Sequence, residues 1–124
     1  PLIIRCRITG NVAKGGGGLA IYPNSHPTFY ECDISGNESL FFTGGVLVFE
    51  GGSFTGYDTS VVANVSHLPP LDGTVNSGGE AFFYCCEIEL QNWDFTGSYV
   101  IDDSNCEGVG TSPRSWGSMK ALFR

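Results

Sequence analysis

Apolar residues along the chain come in short runs, separated by glycine, asparagine, proline and serine. The runs are rich in Val, Ile, Phe and Tyr, and several alternate apolar with polar positions, which is typical of β-strands. Examples are Leu19–Ile21, Phe29–Ile34 and Tyr99–Ile101. No stretch shows the 3.6-residue period of an amphipathic helix. The pattern therefore predicts an all-β domain of short strands and tight turns.

The strand pattern repeats. The segment Phe29–Ile34 (FYECDI) recurs 54 residues later as Phe83–Ile88 (FYCCEI), and half of that offset is 27. Asparagines and glycines keep the same register, the glycines each preceding an apolar run: Asn11, Asn37, Asn64 and Asn92; Gly18, Gly45, Gly73 and Gly97. Because unrelated residue types share one period, internal repetition is the strongest signal in the chain.

A 27-residue period of short strands and turns matches one coil of a parallel β-solenoid. We expect about four coils over residues 1–105, with equivalent positions stacked about 4.8 Å apart. The tail, residues 106–124, breaks the repeat and is predicted to cap the coil stack or dock on it. Two inward ladders are predicted, one of cysteines with Thr59 as a degenerate member and one of asparagines: Cys6, Cys32 and Cys86; Asn11, Asn37, Asn64 and Asn92.

The motifs also carry a resemblance. Cys32–Asn37 (CDISGN), preceded by Pro27–Phe29, resembles the repeat unit of the pectate-lyase-like right-handed β-helix superfamily, as does Cys6–Asn11 (CRITGN). The Gly-Gly-aliphatic segments are similar to repeats of polymorphic outer-membrane adhesins, although the Phe-x-x-Asn element of those repeats is missing here. The resemblance implies a right-handed parallel β-helix in an extracellular or cell-surface setting, and it implies little about chemistry.

Charge is distributed unevenly. The net charge is −7, the six Lys and Arg residues lie near the two ends, and all 13 Asp and Glu residues lie between Glu31 and Glu107. An acidic segment repels nucleic acid and anionic lipid, so neither is an expected partner. Ca²⁺ is a possible cofactor, since stacking would place several carboxylates on one outer face: Glu31, Asp33, Asp58, Glu87 and Glu89. On that face we expect Arg5 to lie over Glu31 and Arg7 over Asp33.

The five cysteines show no paired C-x-x-C spacing, which argues against a zinc site. Stacked Cys6 and Cys32 fit either core thiols or a disulfide, because the coil spacing falls within disulfide range. Cys85 lies out of phase with the cysteine ladder and is expected to face outward. A bridge from Cys85 to Cys106 would tie down the tail.

Two N-glycosylation sequons begin at Asn37 and Asn64. Both positions also belong to the predicted asparagine ladder, and a buried amide cannot carry a glycan. The two interpretations therefore exclude each other.

No catalytic residue is assigned. Asp102-Asp103 is an adjacent acidic pair of the kind that polysaccharide hydrolases use, but a solvated turn explains it equally simply. His26 and His67 both lie in Pro-containing turns. We expect a non-catalytic structural or adhesive module that contacts other proteins or further copies of itself, with no insertion into a membrane. The alternative is a carbohydrate-binding or carbohydrate-cleaving β-helix, in which Tyr22, Tyr57 and Trp93 stack on sugar rings.

Overall fold

The computed structural model describes residues 1–104 and 106, and they form a parallel β-solenoid. Three complete coils have four strands each. The first coil contains β1 (Leu2–Ile4), β2 (Arg7–Thr9), β3 (Val12–Ala13) and β4 (Leu19–Ile21). The second contains β5 (Thr28–Tyr30), β6 (Asp33–Ser35), β7 (Glu38–Ser39) and β8 (Val46–Val48). The third contains β9 (Ser53–Tyr57), β10 (Ser60–Val62), β11 (Val65–Ser66) and β12 (Gly73–Val75).

The fourth coil is shorter. It contains β13 (Glu80–Tyr84), β14 (Glu87–Ile88), a 3-10 helix (Leu90–Asn92) and β15 (Trp93–Phe95), and β16 (Ser98–Asp102) begins a further coil. Gly73 of β12 pairs with Trp93 only 20 residues later, whereas Val46 of β8 pairs with Gly73 at the full 27. The 3-10 helix replaces the third strand of the coil, so the prediction of about four coils becomes three full coils and a shortened fourth.

Equivalent strands stack as parallel, in-register neighbours and form four sheets. The sheet orders are β1-β5-β9-β13-β16, β2-β6-β10-β14, β3-β7-β11 and β4-β8-β12-β15. Leu2 pairs with Thr28 and Thr28 with Thr55, which are steps of 26 and 27 residues. The 27-residue period is therefore the length of one coil, and the predicted all-β solenoid is confirmed.

One corner of every coil has the same backbone geometry. Arg5, Glu31, Asp58 and Cys85 all adopt left-handed conformations, with φ of 52°, 54°, 51° and 56°. The next residue then points inward, and its side chain donates to the carbonyl two residues earlier, as Cys32 does to Tyr30 and Thr59 does to Tyr57. Because a thiol and a hydroxyl can both make this bond, Thr59 substitutes for cysteine in the ladder.

Aromatic and aliphatic columns fill the interior. Ile34 and Val61 stack in register and are fully buried. Phe29 and Phe83 occupy equivalent positions, but Gly56 lies between them. The ring of Phe54, two residues earlier in β9, fills that space and lies 5.1 Å from the ring of Phe29. The column thus stays filled although one coil lacks its aromatic residue.

Aromatic rings close the core at the shortened coil. Trp93 is buried, stacks on Phe95, and meets Phe83 edge to face. Tyr99 stacks on Phe95 at a centroid distance of 3.9 Å. The predicted cap or docking segment, residues 106–124, lies outside the described residues except for Cys106. Within the described part of the chain, no helix is long and apolar enough to cross a membrane.

Candidate functional site: the outer face of the first sheet

The asparagine ladder runs through the first three coils. Asn37 Oδ1 accepts from the backbone N–H and the side-chain amide of Asn11, at 3.1 and 2.9 Å. Asn64 Oδ1 accepts the same pair from Asn37, at 3.1 and 3.0 Å. Each amide thus joins its coil to the previous one through two hydrogen bonds. Asn37 and Asn64 are buried.

Asn92 does not continue this ladder, which corrects the prediction from spacing. Since the fourth coil lacks its third strand, Asn92 precedes β15 and its carbonyl accepts from the N–H of Asp72. The next place in the ladder belongs to Asp72, whose Oδ1 accepts from the N–H and side-chain amide of Asn64, both at 3.0 Å. Asp72 is fully buried, and its Oδ2 has no hydrogen-bond partner. Burial raises the pKa of this carboxyl, opposed by its hydrogen bonds with Asn64.

Burial also bears on the two sequons. The exposed fraction of Asn37 is 0% and that of Asn64 is 3%, and both amides are engaged in the ladder. A glycan on either nitrogen would have to replace these bonds and occupy the core. The folded chain therefore presents neither asparagine for glycosylation.

The outer surface of the β1-β5-β9-β13-β16 sheet is unusual in composition. Its outward side chains form two columns, ten residues with one charge among them: Leu2, Thr28, Thr55, Phe82 and Val100; Ile4, Tyr30, Tyr57, Tyr84 and Asp102. We call this surface the tyrosine face. Charged residues make up 15% of the whole chain, but this face concentrates aromatic, aliphatic and threonine side chains.

Three tyrosines at the centre of the face form a continuous stack. The ring centroids of Tyr30 and Tyr57 are 4.6 Å apart, and those of Tyr57 and Tyr84 are 4.7 Å apart. The interplanar angles are 7° and 12°, so both faces of the middle ring are covered. Desolvation, followed by the neighbouring Tyr30 and Tyr84, raises the pKa of Tyr57. The stack presents ring edges and hydroxyl groups to the outside.

A shallow groove of about 730 Å³ runs beside the tyrosines. The left-handed corner residues line it, and among them the guanidinium of Arg5 pairs with Glu31 at 2.8 Å. Cys85 lies at the same wall and forms a disulfide with Cys106, with a Cα–Cα distance of 5.4 Å. The face is thus apolar at its centre and charged along one rim.

The acidic candidates for Ca²⁺ are dispersed rather than gathered. Glu31 is engaged by Arg5, and Asp33 lies 3.6 Å from Arg7. Glu87 accepts from Ser60, and Glu89 accepts from the amide of Asn92. Among the described residues, no three His, Cys, Asp or Glu side chains come together as a metal site. Asp58, the last candidate, is buried at the groove.

The residues considered for catalysis are held in local contacts. Asp102 accepts two hydrogen bonds from Ser104, from its hydroxyl and its N–H, and these lower the pKa of Asp102. Such a carboxyl stays ionised and is a poor general acid. His26 contacts the hydroxyl of Ser53, and His67 pairs with Glu38, each at 2.9 Å.

The aromatics considered for sugar binding are mostly covered. Trp93 lies in the core, and Tyr57 has a neighbour on each face. Tyr22 stacks on Phe49 with one face and is 62% exposed. It alone of the three keeps a ring face open.

The tyrosine face was missed in the sequence analysis, although a signal was present. Tyr30, Tyr57 and Tyr84 recur at exactly one coil length, two steps of 27. The middle copy of the repeat looked degenerate because Gly56 and Thr59 replace its aromatic and its cysteine. The conserved register of the tyrosine between them was the clue.

No family model, no curated protein and no solved structure matches this chain. The functional argument therefore depends on the geometry of the tyrosine face.

Proposed function

We propose that this chain is a non-catalytic structural or adhesive β-solenoid module of a secreted or cell-surface assembly, acting by protein–protein contact through the tyrosine face. The observation that carries the proposal is the stack of Tyr30, Tyr57 and Tyr84 on a nearly uncharged outer sheet surface. It needs no chemistry from the carboxylates or histidines.

The composition of the face supports contact with protein. Interface centres are depleted of charge and enriched in Tyr and Phe, with polar residues around them. Here Leu2, Ile4 and Val100 are exposed beside the tyrosines, and the ion pair of Arg5 with Glu31 lies at the rim. An exposed apolar surface of this kind is typical of an interaction site.

The ring geometry favours protein over carbohydrate as the partner. Sugars are bound by stacking on an open aromatic face, but the tyrosine rings cover one another. Their exposed edges and hydroxyl groups suit apolar side chains and backbone acceptors instead. The stack is also rigid, because each ring is held by its neighbour, so little side-chain entropy is lost on binding.

Binding of the labelled, folded protein to two panels tests this proposal. One panel carries immobilised secreted and surface proteins of the source cells, and the other carries acidic and neutral polysaccharides. Tyr57→Ser removes the middle ring of the stack, while Tyr22→Ser removes an exposed, singly stacked tyrosine elsewhere and is the matched control. We expect retention on the protein panel to fall about tenfold for Tyr57→Ser, equivalent to roughly 1.4 kcal/mol, and to be unchanged for Tyr22→Ser.

Two results would contradict the proposal. One is retention on proteins that is indifferent to Tyr57→Ser. The other is retention on a polysaccharide that Tyr22→Ser abolishes, which would favour the carbohydrate-binding alternative. Thermal unfolding of both variants shows that each one is folded under the assay conditions.

A further inference from the structure

We infer that the tyrosine face also has an occupant within the same chain, namely the basic, aromatic segment 107–124. The inference depends on the groove, on the disulfide at its wall and on complementary composition. It does not depend on the external partner proposed above. A partner that uses the same face would have to displace the segment.

The disulfide places the start of the segment at the groove. Cys85 and Ser104 both line the groove wall, and Cys85 is bonded to Cys106. Residue 107 therefore begins next to the tyrosine stack. Tethering of this kind gives a short segment a high effective concentration, on the order of millimolar, at a site beside its anchor.

The segment is long enough to cover the face. Five stacked strands span about 19 Å at the usual separation of parallel strands. Trp116 is ten residues beyond Cys106, a reach of up to about 33 Å for an extended chain. Even a partly coiled segment therefore brings its aromatic side chains onto the tyrosines.

Composition and charge of the two partners match. The groove is lined by Glu31, Asp58 and Asp102 with Arg5 as the opposing cation, a formal charge of −3 + 1 = −2. The segment carries one acidic residue and three basic ones, Glu107 against Arg114, Lys120 and Arg124, a formal charge of −1 + 3 = +2. Its apolar side chains suit the apolar centre of the face: Trp116, Met119, Leu122 and Phe123. Opposite charge at the rim and apolar contact at the centre favour one orientation of the segment.

Photo-crosslinking in the full chain tests this inference. Benzoylphenylalanine replaces Tyr57 on the face or, as control, Tyr22 away from it, and irradiated monomer is digested and mapped by mass spectrometry. We expect an intramolecular adduct between position 57 and a peptide from 107–124, at least fivefold more abundant than from position 22. The added substitutions Trp116→Ser and Phe123→Ser should lower that yield at least fivefold.

Each other outcome overturns the inference. Equal yields from positions 57 and 22, or no adduct from either in a protein with an unchanged unfolding transition, show that the segment does not use this face. Adducts found only in covalent dimers show that the occupant is the segment of a second copy. Neither result bears on retention by the protein panel, so the two proposals fail independently.

Discussion

Asn64 shows how a single side chain can hold three successive layers of the solenoid. Its Oδ1 accepts two N–H groups from Asn37, and its own amide donates to the carbonyl of Ile34 and to Asp72. Every one of these groups is buried and would be costly to leave unpaired. The amide chain therefore both satisfies the turn and fixes the register of the coils.

Removing one member of the ladder should cost more inside the stack than at its end. Asn37→Ala leaves the N–H and amide of Asn11 and the N–H-accepting carbonyl of Ile8 without their partner, so we expect a loss of about 3 kcal/mol in the free energy of unfolding. Asn11→Ala, at an exposed end of the ladder, should cost about 1 kcal/mol or less. Urea unfolding at fixed pH measures both, and equal losses would contradict the ladder.

Asp72 makes stability depend on pH. Burial raises its pKa in the folded state, so folding favours the protonated carboxyl. The contribution is fully present below the ordinary aspartate pKa, near 4, and is lost as the pH rises through the raised folded value. Asp72→Asn keeps the acceptor for Asn64 and removes the charge.

We therefore expect Asp72→Asn to raise the free energy of unfolding by about 1 kcal/mol at pH 7 and to flatten its fall between pH 4 and 7. Urea unfolding across that range provides the measurement. The exposed Asp94 offers the matched control, and Asp94→Asn should leave the pH profile unchanged. A wild-type profile that rises towards pH 7 through the same window would contradict this role for Asp72.

At the scale of elements, the shortened fourth coil depends on a glycine. A Cβ atom built on Gly73 would overlap the indole ring of Trp93, although the backbone of Gly73 is not left-handed. Gly36 has the opposite character, with open space around a Cβ but a φ of +67°. The two positions separate lack of space from backbone strain.

Gly73→Ala should displace Trp93 from the core and cost about 2–3 kcal/mol, the usual range for overpacking. Gly36→Ala should cost about 1 kcal/mol, the penalty for a left-handed alanine. Chemical unfolding of the two variants measures the difference. If Gly36→Ala were the more damaging, the packing of Trp93 on Gly73 would not explain how this coil ends.

Sequence reasoning reached the solenoid because inward ladders repeat residue types that cannot be exchanged freely. The pairing of Ile8 with Ile34 follows from spacing alone, as does the contact of Arg5 with Glu31. Counting failed at Asn92, since the spacing of 28 from Asn64 hides the loss of a whole strand. Neither the left-handed corners nor the substitution of Phe54 for a missing ring leaves a periodic signal.

At the scale of the whole molecule, the solenoid gives each sheet a different outer surface. The tyrosine face is nearly uncharged, whereas the corner beside it carries Glu31 and Asp58. Because positions one coil apart coincide in space, a single tyrosine per repeat is enough to build a continuous surface. This is how a chain with short strands obtains a wide, rigid contact area.

The tyrosine face requires that residues 27 apart lie directly above one another, and nuclear Overhauser effects between tyrosine ring protons test this most directly. The account predicts strong effects from Tyr57 to both Tyr30 and Tyr84, and none between Tyr30 and Tyr84. Absence of contacts from Tyr57 to its two neighbours in the folded protein, or a direct effect between Tyr30 and Tyr84, would contradict the coil register and the face built on it.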